Sequence, residues 1–225
     1  MHLFQYSSVA NTFIAPDGYF PYTGYSGYTA GESYQQTWRE GFWQQAQVYA
    51  FYTRYDAFGD TNLMRGAQVS VSGTTKTDLY CELDYSQQVY QSSYDNYWTL
   101  SVTKGATNRF AQYGMQASTG VQGSAKTSSI GPSFSFRLLK HLDLTYLGLL
   151  QNRLGITQQH ILTANYELSP TRSLGGRFVT QDADTNLYLF FHNSGGKGID
   201  YFLIFGDPQA TRTVTGLQVK VVFSF

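Results

Sequence analysis

The sequence predicts an all-β chain, an antiparallel up-and-down transmembrane β-barrel of about twelve strands, within a range of 12–14. Three observations carry the expectation. About a dozen segments alternate apolar and polar residues with the period of two that belongs to strands. Charged residues are 13% of the chain, about half the ordinary soluble share of roughly 25%, while aromatics reach 17%. The polar faces of the alternating segments carry mostly Ser, Thr, Gln and Gly, weak solvation for an outer surface and ordinary for a barrel lumen.

In chain order the first clear segment is "QAQVYAFYTRY". In "GAQVSVSG", Ala67, Val69 and Val71 oppose Gln68, Ser70 and Ser72, and in "LYCELDY" Leu79, Cys81, Leu83 and Tyr85 oppose Tyr80, Glu82 and Asp84. "YWTLSVT", "AQYGMQAS", "SFSFRL", "LDLTYLGLL" and "ILTANYEL" repeat the pattern. "LGGRFVTQ", "NLYLFFH" and "DYFLIFG" follow, and "GLQVKVVFSF" closes the chain with Leu217, Val219, Val221, Phe223 and Phe225 on one face. Connectors such as "FGDTN", "SGTTKT", "QDADTN" and "GDPQATR" are rich in turn residues. Two longer connectors are expected around Gln87–Asn96 and Thr119–Gly131. "GESYQQTWREGFWQQ" lacks the sustained apolar stripe of a helix, and no apolar run approaches the roughly 18 residues of a spanning helix.

Residues 1–37 form a Tyr/Gly-rich segment with Gly-Tyr at Gly18-Tyr19, Gly24-Tyr25 and Gly27-Tyr28. It reads as a long irregular connector ahead of a barrel over 38–225. Tyr19, Tyr22, Tyr25 and Tyr28 are a candidate ligand surface for sugars or lipid headgroups.

Net charge is zero and no basic stripe runs along the chain, so nucleic acid is not an expected partner. The single Cys81 excludes an internal disulfide and a multi-cysteine metal site. "MHLFQYSSVANTF" is not a secretory signal, so an exported form implies a removed signal or a fragment.

From "SLGGRFVTQ" to Phe225 the sequence resembles the C-terminal barrel region of uncharacterised bacterial proteins that carry an N-terminal family-nine carbohydrate-binding-like domain. The resemblance rests on Gly-Lys-Gly before an apolar strand, the Gly206-Asp207-Pro208 turn and a last strand with one inward lysine, Lys220. It covers about the last fifty residues. It implies a missing periplasmic domain as a partner, and it carries over no residue-level function. The closing strand also resembles the recognition signal of bacterial outer-membrane barrels, which makes Val221, Phe223 and Phe225 the expected assembly signal and the barrel assembly machinery an expected partner.

On the register above, Glu82, Asp84, Arg137, Glu167, Arg177 and Lys220 point into the lumen. They balance in sign and read first as structural filling, second as a charged constriction that selects solutes. "NLYLFFH" and "DYFLIFG" are apolar on both faces, so Tyr188, Phe190 and Phe202 are candidate lumen aromatics. His192-Asn193-Ser194 is adjacent in sequence, and neighbours on a strand point to opposite faces, which argues against a catalytic dyad. Gly195-Gly196-Lys197-Gly198 lacks the helix of a phosphate loop, and Asp60, Asp182, Asp184 and Asp207 lack the spacing of a calcium motif. No catalytic residue, metal ligand or cofactor is assigned.

The functional expectation is a bacterial outer-membrane barrel among lipids, acting as a membrane anchor or a narrow channel with a largely filled lumen. The alternatives are a soluble or surface-attached carbohydrate-binding β-sandwich and, third, an outer-membrane lipid hydrolase.

Overall fold

The structure is a computed structural model that describes residues 1–9, 24–57, 63–90, 93–108, 110–195 and 198–223. It has fourteen strands: β1 (His2–Val9), β2 (Tyr25–Thr37), β3 (Trp43–Ala57), β4 (Met64–Thr75), β5 (Leu79–Tyr90), β6 (Ser93–Lys104), β7 (Ala111–Gln122), β8 (Ala125–Leu138), β9 (Leu142–Asn152), β10 (Ile156–Ser169), β11 (Arg172–Gln181), β12 (Asp184–Gly195), β13 (Ile199–Phe205) and β14 (Leu217–Phe223). The strands form one antiparallel up-and-down sheet whose order is the chain order. No helix occurs among the described residues.

The twelve alternating segments of the sequence become β3 to β14. β1 and β2 stand where an irregular connector is expected, and the reason lies between strands. Gly31 of β2 pairs with Phe51 of β3, and a Cβ on Gly31 would stand 2.1 Å from the Phe51 ring. The neighbour's ring thus covers the place where β2 has no side chain, which lets a Gly-rich segment hold a strand. Both of the expected long connectors are also largely strand. β5 runs on to Tyr90 and β6 begins at Ser93, while β7 and β8 leave only Gly123 and Ser124 between them. Those two residues have φ of 54° and 74°, as a tight two-residue hairpin requires.

The chain divides into two compact units, Met1–Val102 with Ala117–Ser128, and Thr103–Gln116 with Ser129–Phe225. In the first, Ser33, Tyr49, Ser70 and Asp84 form one cross-strand row on β2 to β5. Tyr34, Val48, Val71 and Leu83 form the next row, on the opposite face. In the second unit, Glu167, Ser173, His192, Phe202 and Lys220 form a row across β10 to β14. Beside it Leu142, Tyr166, Leu174, Phe191, Leu203 and Val219 form the row of the other face. Rows alternate because successive side chains of a strand leave opposite sides of the sheet.

Burial follows these rows in the reverse of the usual sense. Ser70 is 0% exposed, while Val69 and Val71 on either side are 45% and 51% exposed. Among the described residues the buried side chains are Ser70, Thr75, Thr127 and Asn186, and no hydrophobic side chain is buried. An ordinary domain buries its apolar face against a second layer. In each unit here that face is open.

The connector between β13 and β14 has a defined role. β13 is 7 residues long and pairs with β12 only from Leu189 onward. The connector folds back along the start of β12 that this leaves uncovered. Asn186 donates Nδ2 to the carbonyls of Asp207 and Ala210, both at 2.8 Å, and Arg212 Nε meets Asp184 Oδ1 at 2.6 Å. The Thr213 amide donates to the Thr185 carbonyl at 2.8 Å. An open strand edge is thereby blunted.

Candidate functional site: the polar face

In the first unit β4 and β5 place Glu82 and Asp84 two residues apart on the polar face. Ser70 Oγ donates to Glu82 Oε1 at 2.9 Å. Gln68 Nε2 donates to Asp84 Oδ2 at 2.9 Å and to the Tyr49 hydroxyl at 3.0 Å, and that hydroxyl donates to Asp84 Oδ2 at 3.3 Å. Neutral donors therefore hold both carboxylates. Toward one end of the same face lies a hollow of about 250 Å³ lined by Phe51, Thr53, Gln68, Ser86, Asp95 and Tyr97, among others.

In the second unit Arg137 of β8 is clamped on three sides. Its Nε and Nη2 donate to the two oxygens of Asp143 at 2.6 and 2.7 Å, and Nη2 reaches Glu167 Oε1 at 3.1 Å. The guanidinium carbon lies 4.1 Å from the Phe110 ring centroid. The bidentate pair fixes the plane of the fork, and the ring covers it. These three charged side chains, between a quarter and a half exposed, sum to one negative charge.

Farther along the row, His192 stacks on Phe202 with centroids 4.5 Å apart and planes 12° apart. Its Nε2 is buried and lies 3.5 Å from Asp200 Oδ1, within ion-pair reach but too long for a good hydrogen bond. Tyr188 and Phe190 share this face, with centroids 5.9 Å apart. Phe190 lies against Gly175 across the ladder, where a Cβ would stand 2.5 Å from its ring. Arg177 pairs with Tyr188 on the same face, and exposed Lys220 of β14 pairs with Phe202.

The structure thus puts Glu82 and Asp84 together in one unit. In the other it puts Arg137 with Glu167, and Arg177, Lys220 and the three aromatics on the same face as Glu167. Asp143, the main partner of Arg137, is a residue that sequence reasoning missed. Its signal was present: Asp143 and Thr145 alternate against Leu142 and Leu144. Asp200 has the same kind of signal, two residues before Phe202. His192 and Ser194 stand two apart and share the polar face, so the alternation of a strand does not separate them as expected from His192-Asn193-Ser194. Ser173 faces His192 directly across the ladder.

Of the four candidate ligand tyrosines, Tyr19 and Tyr22 lie outside the described residues. Tyr25 and Tyr28 do not meet. Tyr25 packs edge-on against Tyr55, centroids 5.2 Å apart, while Tyr28 stacks at 6.2 Å with Phe4 on the opposite face. Val221 and Phe223 pair with Tyr201 and Ile199 on the apolar face, and Phe225 lies outside the described residues. Asp60 and Lys197 lie outside them as well. Asp182 Oδ1 accepts from the Gln158 amide at 2.8 Å and Asp207 Oδ1 from the Gln209 amide at 2.9 Å, so both carboxylates brace turns.

Of the remaining histidines, His2 opens β1, His141 lies in the turn before β9 and His160 lies within β10. His2 meets Glu32 at 3.4 Å, and His160 Nδ1 shares a 2.7 Å hydrogen bond with the Tyr146 hydroxyl on the apolar face. Comparison of the chain with protein-family models, with curated proteins and with solved structures returns no match in any of the three.

Proposed function

We propose that the fourteen strands close into a β-barrel in a bacterial outer membrane, with the apolar face against lipid and the polar face lining the lumen. The observation that carries this reading is the reversed burial along β4, where Ser70 is enclosed and Val69 and Val71 are open. In water an exposed sheet face of that kind is a liability, because soluble monomers rarely expose contiguous apolar patches larger than about a few hundred square ångströms. In lipid it costs nothing, and the polar side chains need each other instead. The even strand number is that of bacterial single-chain barrels.

Within the barrel, the charged and aromatic side chains of the polar face serve to fill and brace the lumen. Rings that lie on cross-strand glycines, as Phe51 does on Gly31 and Phe190 on Gly175, thicken the wall. The resulting function is a membrane anchor or a narrow channel, assembled by the barrel assembly machinery and, by the resemblance of its last fifty residues, attached to a periplasmic domain. A carbohydrate-binding sandwich would need the apolar face covered, and no observation favours it.

The test is detergent extraction and planar-bilayer recording of the purified chain. A barrel stays with the membrane fraction until detergent is added and migrates differently in gels before and after boiling. Stable conductance of nanosiemens size would remove the filled lumen and leave an open pore. A chain that is soluble without detergent would remove the barrel.

A further inference from the structure

The apolar face of the second unit is not smooth. Across β10, β11 and β12 it carries a trough of about 400 Å³ whose floor is the small pair Ala164 and Gly176. Leu162 with Phe178 closes one end, and Tyr166 with Leu174 flanks the other. Leu142 pairs with Tyr166 there, and Leu187 pairs with Phe178 at the far end. The shape comes from sequence. One cross-strand pair of small residues stands between pairs of large ones, and a flexible apolar chain fits such a slot along its length.

The Tyr166 end of the trough is basic. Arg172 precedes Leu174 by two residues on the same face of β11, so it stands about 7 Å farther along the strand. Its Nε donates to Asn193 Oδ1 at 3.0 Å, which holds the guanidinium on this face. The turn before Leu142 supplies Lys140 and His141, and the His141 ring packs edge-on against Tyr166 with centroids 6.5 Å apart. The carboxylates of this unit lie elsewhere. Asp143, Glu167 and Asp200 belong to the polar face, and Asp182, Asp184 and Asp207 lie at the opposite ends of the strands. An apolar slot thus leads toward Arg172, with Lys140 in the adjacent turn, while the described carboxylates of this unit lie on the other face or at the opposite strand ends.

We propose that this trough is a binding site for one anionic glycerophospholipid, with an acyl chain along Ala164 and Gly176 and its phosphate at Arg172 and Lys140. The inference rests on the membrane reading above. Charge complementarity selects the occupant. An acyl chain gains little from exchanging neighbouring lipid tails for Leu and Phe side chains, because both are hydrocarbon. Residence and selectivity therefore come from the phosphate, which a guanidinium can bind through two parallel hydrogen bonds. The slot contributes shape, holding one tail where its headgroup meets the cations.

The experiment is native mass spectrometry of the full chain in detergent micelles loaded with dioleoyl phosphatidylglycerol or dioleoyl phosphatidylcholine. Heat-modifiable gel migration and flotation with neutral vesicles are measured on the same preparations. The expected result is one phosphatidylglycerol retained at collision energies that strip phosphatidylcholine. Arg172→Glu with Lys140→Glu should lower that retention about tenfold, and Ala164→Leu should lower it less, with migration and flotation unchanged. Arg172→Gln gives a milder check, expected between wild type and the double reversal. Equal retention of the two lipids, or undiminished phosphatidylglycerol in the charge reversal, overturns the site while leaving the barrel intact. A trough covered by a second copy, seen as a lipid-free dimer, overturns it as well. Failure of the wild-type chain to float overturns the membrane reading, and the site with it.

Discussion

Ser70 and Val69 are consecutive residues of β4, and one is wholly enclosed while the other is 45% exposed. Ser70 faces Tyr49 and Asp84 across its two ladders, and Val69 faces Ala50 and Tyr85. The same alternation recurs in the second unit between Asn186, which is 4% exposed, and Leu189 at 42%.

Val69→Lys should destabilise the chain in lipid by about 2–4 kcal/mol, the cost of a lysine near the middle of a lipid-facing strand. Ser70→Lys is a different experiment. Its side chain would enter enclosed space beside Glu82 and Asp84, so steric cost competes with a new ion pair. A loss of about 1–3 kcal/mol is expected from overpacking. Urea unfolding in vesicles reads both, and a Val69→Lys variant as stable as wild type would place that face in water.

Most of the strand framework from β3 to β14 was legible because the strands repeat a period of two, and β12 and β13, apolar on both faces, were legible as short apolar runs between turn residues. β1 and β2 were not, because the interaction that completes β2 comes from β3: Phe51 supplies the bulk that Gly31 lacks. The polar ends of β5 and β8, such as Gln87-Gln88 and Thr127-Ser128, read as loop for the same reason. Without an apolar face they have no period, and only hydrogen bonds to neighbouring strands make them strand. For the site, parity placed Arg137 and Glu167 on the polar face. The register of β8, β9 and β10 was needed to show that Asp143 joins them.

Arg137→Met should lower the unfolding midpoint. Removing the cation strands Asp143 and Glu167 together, and partial exposure moderates the loss typical of a broken buried pair. Adding Asp143→Asn and Glu167→Gln should recover most of the loss. A thermodynamic cycle on unfolding free energies, with the two carboxylate substitutions taken as one step, checks the coupling. Purely additive effects would mean that the three side chains do not act as a unit.

Gly31→Val and Gly175→Val should each lower the unfolding midpoint, by about 1–3 kcal/mol of stability, because a side chain there must displace the ring of Phe51 or Phe190. Replacing the ring as well, as in Gly31→Val with Phe51→Ala, should recover part of the loss. Gly216, whose added Cβ would meet nothing within 4 Å, is the control position.

Deleting Phe225 should reduce the amount of assembled protein in cells more than it reduces the stability of protein refolded in detergent, as the resemblance of the closing strand to an outer-membrane recognition signal implies. Heat-modifiable gel migration of membrane fractions, set beside urea unfolding of purified protein, separates the two. Equal losses would make the residue structural only.

The most direct test of lipid contact is accessibility along β4. In a Cys81→Ser background, single cysteines at residues 68 to 72 carry a fluorophore, and the chain is placed in phospholipid vesicles. Quenching by lipid-borne nitroxide is compared with quenching by aqueous iodide. The account predicts a period of two, with strong nitroxide and weak iodide quenching at Val69→Cys and Val71→Cys and weak nitroxide quenching at Gln68→Cys, Ser70→Cys and Ser72→Cys. Iodide quenching that is strongest at 69 and 71 would put the apolar face in water and contradict it.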